Sequence, residues 1–220
     1  MTFGANSKAP SPTAPRRRPC QSRSIMTVDA ILEAAAILFA RDGFDRVSTT
    51  RIADIAGVSI GSFYDYFPSK DALVAKLLKR QGDEMVARVE KSLISTEGQC
   101  LERVIDDFIN VAYETYARDA KLHRVLLEQM GRVSKPHHIR RVSFALADLL
   151  EKALVSCGKE VSRPNVQLAA FLVESVVETL IQRLIQYGTV VGEDEFCLEL
   201  KVMVVRYLSA CTHDGRGSRR

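Results

Sequence analysis

Between Val47 and Lys70 the chain reads VSTTRIADIAGVSIGSFYDYFPSK, and these residues leave little choice of local structure. Ser48 or Thr49 serves as a helix N-cap, and Ile52, Ala53, Ile55 and Ala56 form a compact apolar face that ends at Gly57. Gly57 supplies the permissive backbone that stops this first helix. Val58 is the apolar residue of the turn, and Ser59 caps a second helix through Gly61, Phe63 and Phe67, which Pro68 prevents from continuing. The small residues Ala53 and Gly61 let the two helices approach closely. Two short helices around a tight Gly-Val-Ser turn are one of the standard ways of setting a helix into the DNA major groove. Ser59, Ser62, Tyr64 and Tyr66 stand on the exposed side of the second helix, hydroxyl donors of the kind that hold phosphate oxygens, with Lys70 one step beyond.

The segment Thr49 to Leu73, TTRIADIAGVSIGSFYDYFPSKDAL, resembles the TetR family of bacterial one-component regulators, whose DNA-binding domain commonly reads TTxxIAxxAGVSxGxxYxYFxSKxxL. The turn, the aromatic pair and the trailing Ser-Lys at fixed offsets make the match specific, although the motif lies within about the first third of the chain. The resemblance implies an all-α protein: an N-terminal three-helix DNA-binding domain with a helix-turn-helix, linked by a helix to a C-terminal helical ligand-binding and dimerisation domain. The corresponding boundaries are an arm over 1–25, a DNA-binding domain over 26–70, a regulatory and dimerisation domain over 71–212 and a polar tail over 213–220.

Charge is unevenly distributed. Of the formal net charge of +4, Lys8, Arg16, Arg17, Arg18 and Arg23 place +5 in the first 25 residues, so the remainder carries −1. That segment is rich in Pro, Ser and Ala and poor in aliphatic residues, which predicts disorder in isolation; it reads either as a solvated tail or as an arm that tracks phosphates or a minor groove. No stretch reaches the ~18–20 apolar residues of a membrane span and the N-terminus lacks the apolar core of a signal peptide, so a cytoplasmic location is expected. Cys20, Cys100, Cys157, Cys197 and Cys211 are odd in number and form no CxxC pair, which argues against a disulfide framework or structural zinc; a thiol-sensing role stays open for Cys20 or Cys100. His137 and His138 are adjacent, point in different directions on a helix and have no third ligand spaced to join them, so no metal and no cofactor is expected.

The helical period dominates elsewhere. Thr27 to Arg41 carries Val28, Ile31, Leu32, Ala35, Leu38 and Phe39 on one stripe and stops at Gly43. Ser69 caps a long helix with Leu73, Val74, Leu77 and Leu78 that continues to about Ser92 and can transmit a tilt as one rigid element. Leu101 to Arg118 places Val104, Ile105, Phe108, Ile109, Ala112 and Tyr116 on one face, and a short helix follows near Leu122 to Met130. Ser134 and Pro136 start a helix with Val142, Ala145, Leu146, Leu149, Leu150, Ala153 and Leu154, ending by Gly158. Ser162 and Pro164 open one that is apolar almost all round and runs to about Tyr187, and Phe196 to Leu208 forms the last. A helix apolar on every side must be buried on every side, which predicts a homodimer through residues 164–187 and 193–210 unless a deep intramolecular core covers them; the family's habit is a four-helix bundle of these two helices with their symmetry mates.

Matched position by position, the resemblance makes Thr49, Thr50, Tyr64, Tyr66 and Lys70 phosphate contacts and places Arg51, Ser59, Ile60, Gly61 and Ser62 where base edges or nearby backbone are met. Arg51 is the candidate for reading a guanine, because its fork donates to O6 and N7 together; it reads otherwise as a surface or phosphate-only arginine. Asp65 points away from the DNA or accepts from a cytosine amino group, and Phe63 and Phe67 read as core. The resemblance also makes the larger domain a sensor, with Phe108, Tyr113, Tyr116, Met130, Phe144 and Phe171 as candidate lining residues and Glu174, Glu178 and Arg183 as polar anchors for an unknown small-molecule effector. The implied activity is repression from a palindromic double-stranded DNA operator; the alternative is a helical dimeric protein-interaction module without specific DNA binding. No glycine-rich phosphate loop and no spaced Ser/His/Asp or Cys/His arrangement points to an enzyme.

Overall fold

The structure, a computed structural model, describes residues 22–95, 98–133, 136–188 and 191–210. Most of the basic arm, Cys20, Cys211, the tail over 213–220 and the side chains of His137 and His138 lie outside that description. Among the described residues there are nine α-helices and no strand: α1 (Ser22–Asp42), α2 (Thr49–Ile55), α3 (Ile60–Tyr66), α4 (Lys70–Ser95), α5 (Leu101–Ala117), α6 (Ala120–Val133), α7 (Pro136–Ser156), α8 (Val166–Tyr187) and α9 (Glu193–Ser209). A 3-10 turn at Gly158–Glu160 separates α7 from α8. The all-α class is as expected.

Contacts divide the chain into two units. One holds the chain up to Arg80 together with the α6 stretch from Lys121; the other holds Gln81–Ala120 and the chain from α7 onward. The long helix α4 therefore gives its first part to one unit and its second part to the other.

In the first unit the α1 stripe is buried as its period predicts, with Ile31, Ala35, Leu38 and Phe39 fully enclosed. Phe63 and Phe67 close the same core with Ile52, Ala53, Leu73, Val74 and Leu77, each buried aromatic contributing about 1.5–3 kcal/mol. Leu122, Leu126 and Val133 of α6 complete it, a placement the sequence boundaries at 70 and 71 do not anticipate. Two expectations are corrected. Helix α1 starts at Ser22 rather than Thr27. The buried face of α2 consists of Ile52 and Ala53, whereas Ile55 is 50% exposed, because a seven-residue helix packed on both α1 and α3 has only about one turn facing the core.

The second unit is built on α5, whose expected face of Val104, Ile105, Phe108, Ile109, Ala112 and Tyr116 is entirely buried. It packs against α7, α8 and α9, and Met85, Val89 and Leu93 of α4, four residues apart, add to the same core. The Glu160 Oε2 accepts from Leu101 N at 2.9 Å, so a carboxylate from the 3-10 turn caps α5, where the helix dipole favours negative charge. Helix α8 is capped by Asn165, whose Oδ1 accepts from Leu168 N at 2.9 Å; Ser162 and Pro164 precede the helix and do not open it, and the Ser162 N–H donates to Leu208 O at 2.8 Å. The expectation that α8 is enclosed on all sides is not met within one chain: Ala169, Ala170, Val173, Val177 and Ile181 are buried, but Leu168, Leu172 and Val176 are 51%, 41% and 38% exposed.

Candidate functional site

The turn between α2 and α3 closes by backbone hydrogen bonds alone. The Val58 N–H donates to Ala53 O at 3.0 Å and the Gly57 N–H to Asp54 O at 3.2 Å, the paired bonds of a Schellman cap, with Gly57 at φ +67°. Each helix then begins on a serine: Ser48 Oγ accepts from Arg51 N at 3.2 Å, and Ser59 Oγ from Ser62 N at 3.0 Å. Ser59 Oγ also donates to Ser62 Oγ at 2.9 Å, and Thr49 Oγ1 lies 2.9 Å from Tyr64 Oη, tying the start of α2 to the middle of α3. Ala53, fully buried, is the small residue that the close approach requires. Gly61 is not; a Cβ there meets only Ser59 Oγ at 3.8 Å, so its missing side chain leaves open space on the outer face of α3.

That outer face gathers the residues singled out by sequence. Ser59, Ile60, Gly61 and Tyr64 are exposed on α3, Thr50 and Arg51 are exposed on α2, and Thr49, Ser62 and Tyr66 are half-buried. Asp65 is exposed, while Phe63 lies edge-on to Tyr64 and is fully buried. Arg51 is held in this state by Asp42, with Nη1 3.1 Å from Oδ2. The Arg41 guanidinium first, and Arg51 and Arg46 behind it, keep the Asp42 carboxyl below the usual carboxylate range, against a partial desolvation. A solvent-screened pair of this kind stabilises little, so Arg51 can exchange Asp42 for another acceptor at little cost.

Lys70 is set differently. Its Nζ donates to Phe44 O at 2.8 Å and sits 4.2 Å from the Phe44 ring centroid, while Arg132 of α6 lies 4.7 Å from the same ring and pairs with Asp71 at 3.0 Å. Partial burial lowers the Lys70 pKa. The ammonium thus fastens the α1–α2 loop to the start of α4, and of its three donors one is used for this.

A cavity of about 10 Å³, room for about one water molecule, lies within the second unit. Its walls are Met85 and Val89 of α4, Phe108, Ala112 and Tyr116 of α5, Leu146 of α7, and Glu174, Val177 and Glu178 of α8. Glu174 is 1% exposed on the core stripe of α8; its Oε2 accepts from Ser143 Oγ at 2.7 Å, and its Oε1 has no hydrogen-bond partner. Burial, and then the neighbouring Glu178, push the Glu174 carboxyl up to about 8. Glu178 Oε1 accepts from Gln182 Nε2 at 3.0 Å and from Tyr116 Oη at 3.4 Å. Burial raises the Tyr116 phenol above its ordinary range.

Of the candidate lining residues, Phe108, Tyr116, Glu174 and Glu178 meet at this cavity. Phe144 and Phe171 stack on each other at 6.1 Å and are 58% and 39% exposed. Tyr113 donates to Glu193, Met130 sits on α6 in the first unit, and Arg183 is exposed. Sequence reading missed Met85 and Val89 as walls; continuing the period of Leu73 and Leu77 through Met85, Val89 and Leu93 would have found them. Cys100 is exposed, and burial raises the thiols of Cys157 and Cys197. Among the described residues no group of three or more His, Cys, Asp or Glu could hold a metal ion, and no helix is long and apolar enough to cross a membrane.

A helix-turn-helix with an open, hydroxyl-rich outer face, carried on a chain that has a second helical core, defines a DNA-binding transcriptional regulator. The profile of bacterial regulatory proteins of the tetR family matches residues 31–77, and that of the Tetracyclin repressor-like C-terminal domain matches residues 100–208. The chain belongs to the TetR family. It is 27% identical over 166 residues to the uncharacterized HTH-type transcriptional regulator YuxN of Bacillus subtilis, a match covering 72% of this chain and 55% of YuxN. The chain spans about half the length of the curated relatives it first matches. Among solved structures it is similar in fold to the fatty acid degradation regulator FadR from Bacillus halodurans (TM-score 0.62, 19% identity, 80% of this chain and 97% of that one). It is also similar to Thermus thermophilus FadR, a repressor solved in complex with lauroyl-CoA (TM-score 0.58, 20% identity, 88% of this chain and all of that one). The family and these relatives are regulators rather than enzymes.

Proposed function

We propose that this chain is a cytoplasmic homodimeric repressor that holds a palindromic operator through α3 of each protomer and leaves it when a small molecule occupies the second unit. The observation that carries the DNA-binding half is the outer face of α2 and α3, where Gly61 leaves space for close approach and hydroxyls and one guanidinium surround it. Thr49, Thr50, Tyr64, Tyr66 and the spare donors of Lys70 hold phosphates; Arg51, Ser59, Ile60, Gly61 and Ser62 meet base edges or the adjacent backbone. Dimerisation is supported by the exposed stripe Leu168, Leu172 and Val176 on α8 together with Leu198 and Met203 on α9, apolar surface that a symmetry mate covers. Two α3 helices about 34–36 Å apart then meet successive major grooves.

Release by a ligand is supported by the cavity and by α4, which contributes Met85 and Val89 to its wall and Leu73, Val74 and Leu77 to the core beneath α3. To empty the operator, the ligand must favour the released state by a few kcal/mol, since equal affinity for both states shifts nothing. Thermus thermophilus FadR, with its lauroyl-CoA, is a structural neighbour in which such a ligand occupies a protein of this fold.

Selection of genomic fragments by the purified protein at several salt concentrations tests the reading. Recovery of one palindromic site, with affinity falling steeply as salt rises, is the expected result. Weak, sequence-independent binding by a stable dimer would instead make the chain an interaction module. On a recovered site, Arg51→Ala is expected to cost about 1–3 kcal/mol and to relax specificity at one position; a uniform loss with a shallower salt slope would make Arg51 a phosphate contact.

A further inference from the structure

We infer that the cavity of the second unit is a site for an organic cation, an amine or quaternary ammonium on an apolar body, whose charge is taken by Glu174 and Glu178. This rests on the reading of the second unit as the effector domain and names the chemistry of its ligand. The walls bring two carboxyls to one small space and include no Lys, Arg or His among the described residues. The Oε1 of Glu174 is the part that packing leaves unexplained. It lies on the core stripe of α8, in line with Ala170, Val173 and Val177, where an apolar side chain would satisfy the helix pattern, and apart from a proton shared with Glu178 no donor of the described residues reaches it.

Two carboxyls in a largely apolar wall are costly to keep charged together. A proton held on Glu174 and shared in a hydrogen bond with Glu178 limits that cost, and burial favours the same state. An anionic ligand would bring its charge against the Glu178 carboxyl with no basic group on the wall to offset it. A cation instead takes the place of the Glu174 proton, is attracted by both carboxyls once that proton has left, and has the aromatic side chains of Phe108 and Tyr116 on the same wall. The remaining wall of Met85, Val89, Ala112, Leu146 and Val177 suits an apolar body, and the present volume requires the helices to part to admit one. Entry of a permanent cation therefore expels the proton of Glu174. The groups facing Glu174 are Glu178 and the hydroxyl of Ser175 on its own helix, Tyr116 on α5 and Ser143 on α7, while α4 presents the uncharged Met85 and Val89 to the cavity, whose walls hold no basic group.

The full chain is titrated calorimetrically with benzyltrimethylammonium and with neopentylbenzene, its uncharged isostere, and operator affinity is followed in parallel. The cation should bind about tenfold or more tightly than the isostere, release a proton, and gain affinity as pH rises from about 6 to 8. Glu174→Gln should abolish the preference while leaving the helical content unchanged by circular dichroism, and Glu174→Asp should retain part of it. Equal or tighter binding of the isostere, affinity that falls as pH rises, or a preference that survives Glu174→Gln overturns the inference. Cation binding that leaves DNA affinity unchanged upholds the cation site and overturns the effector reading; DNA release by decanoate but not by the cation does the reverse.

Discussion

In the first unit the hydroxyls of Thr49, Tyr64, Ser59 and Ser62 lie at or near the surface, bonded to one another and to helix ends, whereas in the second the Glu174 carboxyl lies 1% exposed with one oxygen unpaired. Both arrangements keep polar groups available for a partner, by opposite means. At the surface a hydroxyl can exchange a neighbour for a phosphate at almost no cost, so the DNA face is ready without strain. In the core the Glu174 carboxyl is kept neutral by a proton that burial and the neighbouring Glu178 both favour. The same contrast extends to one buried titratable group in each unit. His123 of α6 is enclosed in the first unit, where burial lowers its pKa to about 4; Glu174 in the second is raised to about 8. The units are therefore weakened from opposite ends of the pH scale.

The most damaging single change expected in the first unit is Phe63→Ala, which empties a fully buried ring beneath α3. Its unfolding free energy should fall by about 3–5 kcal/mol in urea titrations, with DNA binding lost; a loss under about 1 kcal/mol would mean that the core under α3 is looser than its burial indicates.

Next comes the pair of pH effects, each on the order of a few kcal/mol at most. For Glu174 the folded pKa lies above the unfolded one, so the native state keeps a proton that the unfolded chain gives up, and stability declines as pH rises from about 4.5 to 8. For His123 the folded pKa lies below the unfolded one, so stability is full above about 6.5 and declines as pH falls toward 4. Hydrogen exchange of peptides from α2–α3 and from α8 should register the two trends separately. Glu174→Gln should flatten the alkaline decline and His123→Phe the acid one; parallel pH profiles in both units would break the comparison.

The smallest effect expected is from Ser59→Ala, which removes the cap of α3 and should cost about 0.5–2 kcal/mol of stability. Because Ser59 is exposed and also stands at the DNA face, operator affinity should fall by more than stability does; equal losses would reduce it to a cap.

Residues 48–70 were legible in the sequence because their structure is local. The Ser48 and Ser59 caps, the Gly57 turn and the stop at Pro68 each depend on neighbours within four residues, and each is found where the chain chemistry puts it. The same holds for the apolar stripes of α1 and α5, since a period of 3.6 identifies a buried face whatever it packs against. Ile55 broke the local rule because burial on a short helix is decided by which helices lie against it, and the start of α8 was misplaced because Asn165 is the cap, while Ser162 hydrogen-bonds to Leu208, far along the chain.

By itself, then, the sequence determined an all-helical chain, a helix-turn-helix and the face of α3 that looks outward, all of which follow from hydrogen bonds and periodicities a few residues long. Only the tertiary structure placed α6 in the core of the first unit, turned Lys70 onto Phe44 and paired Arg51 with Asp42. It alone selected Phe108, Tyr116, Glu174 and Glu178 from nine candidates as walls of one cavity and moved Phe144 and Phe171 to the surface. Those outcomes depend on which faces meet across long separations in the chain, and residue type at one position carries no record of the partner that packing brings to it.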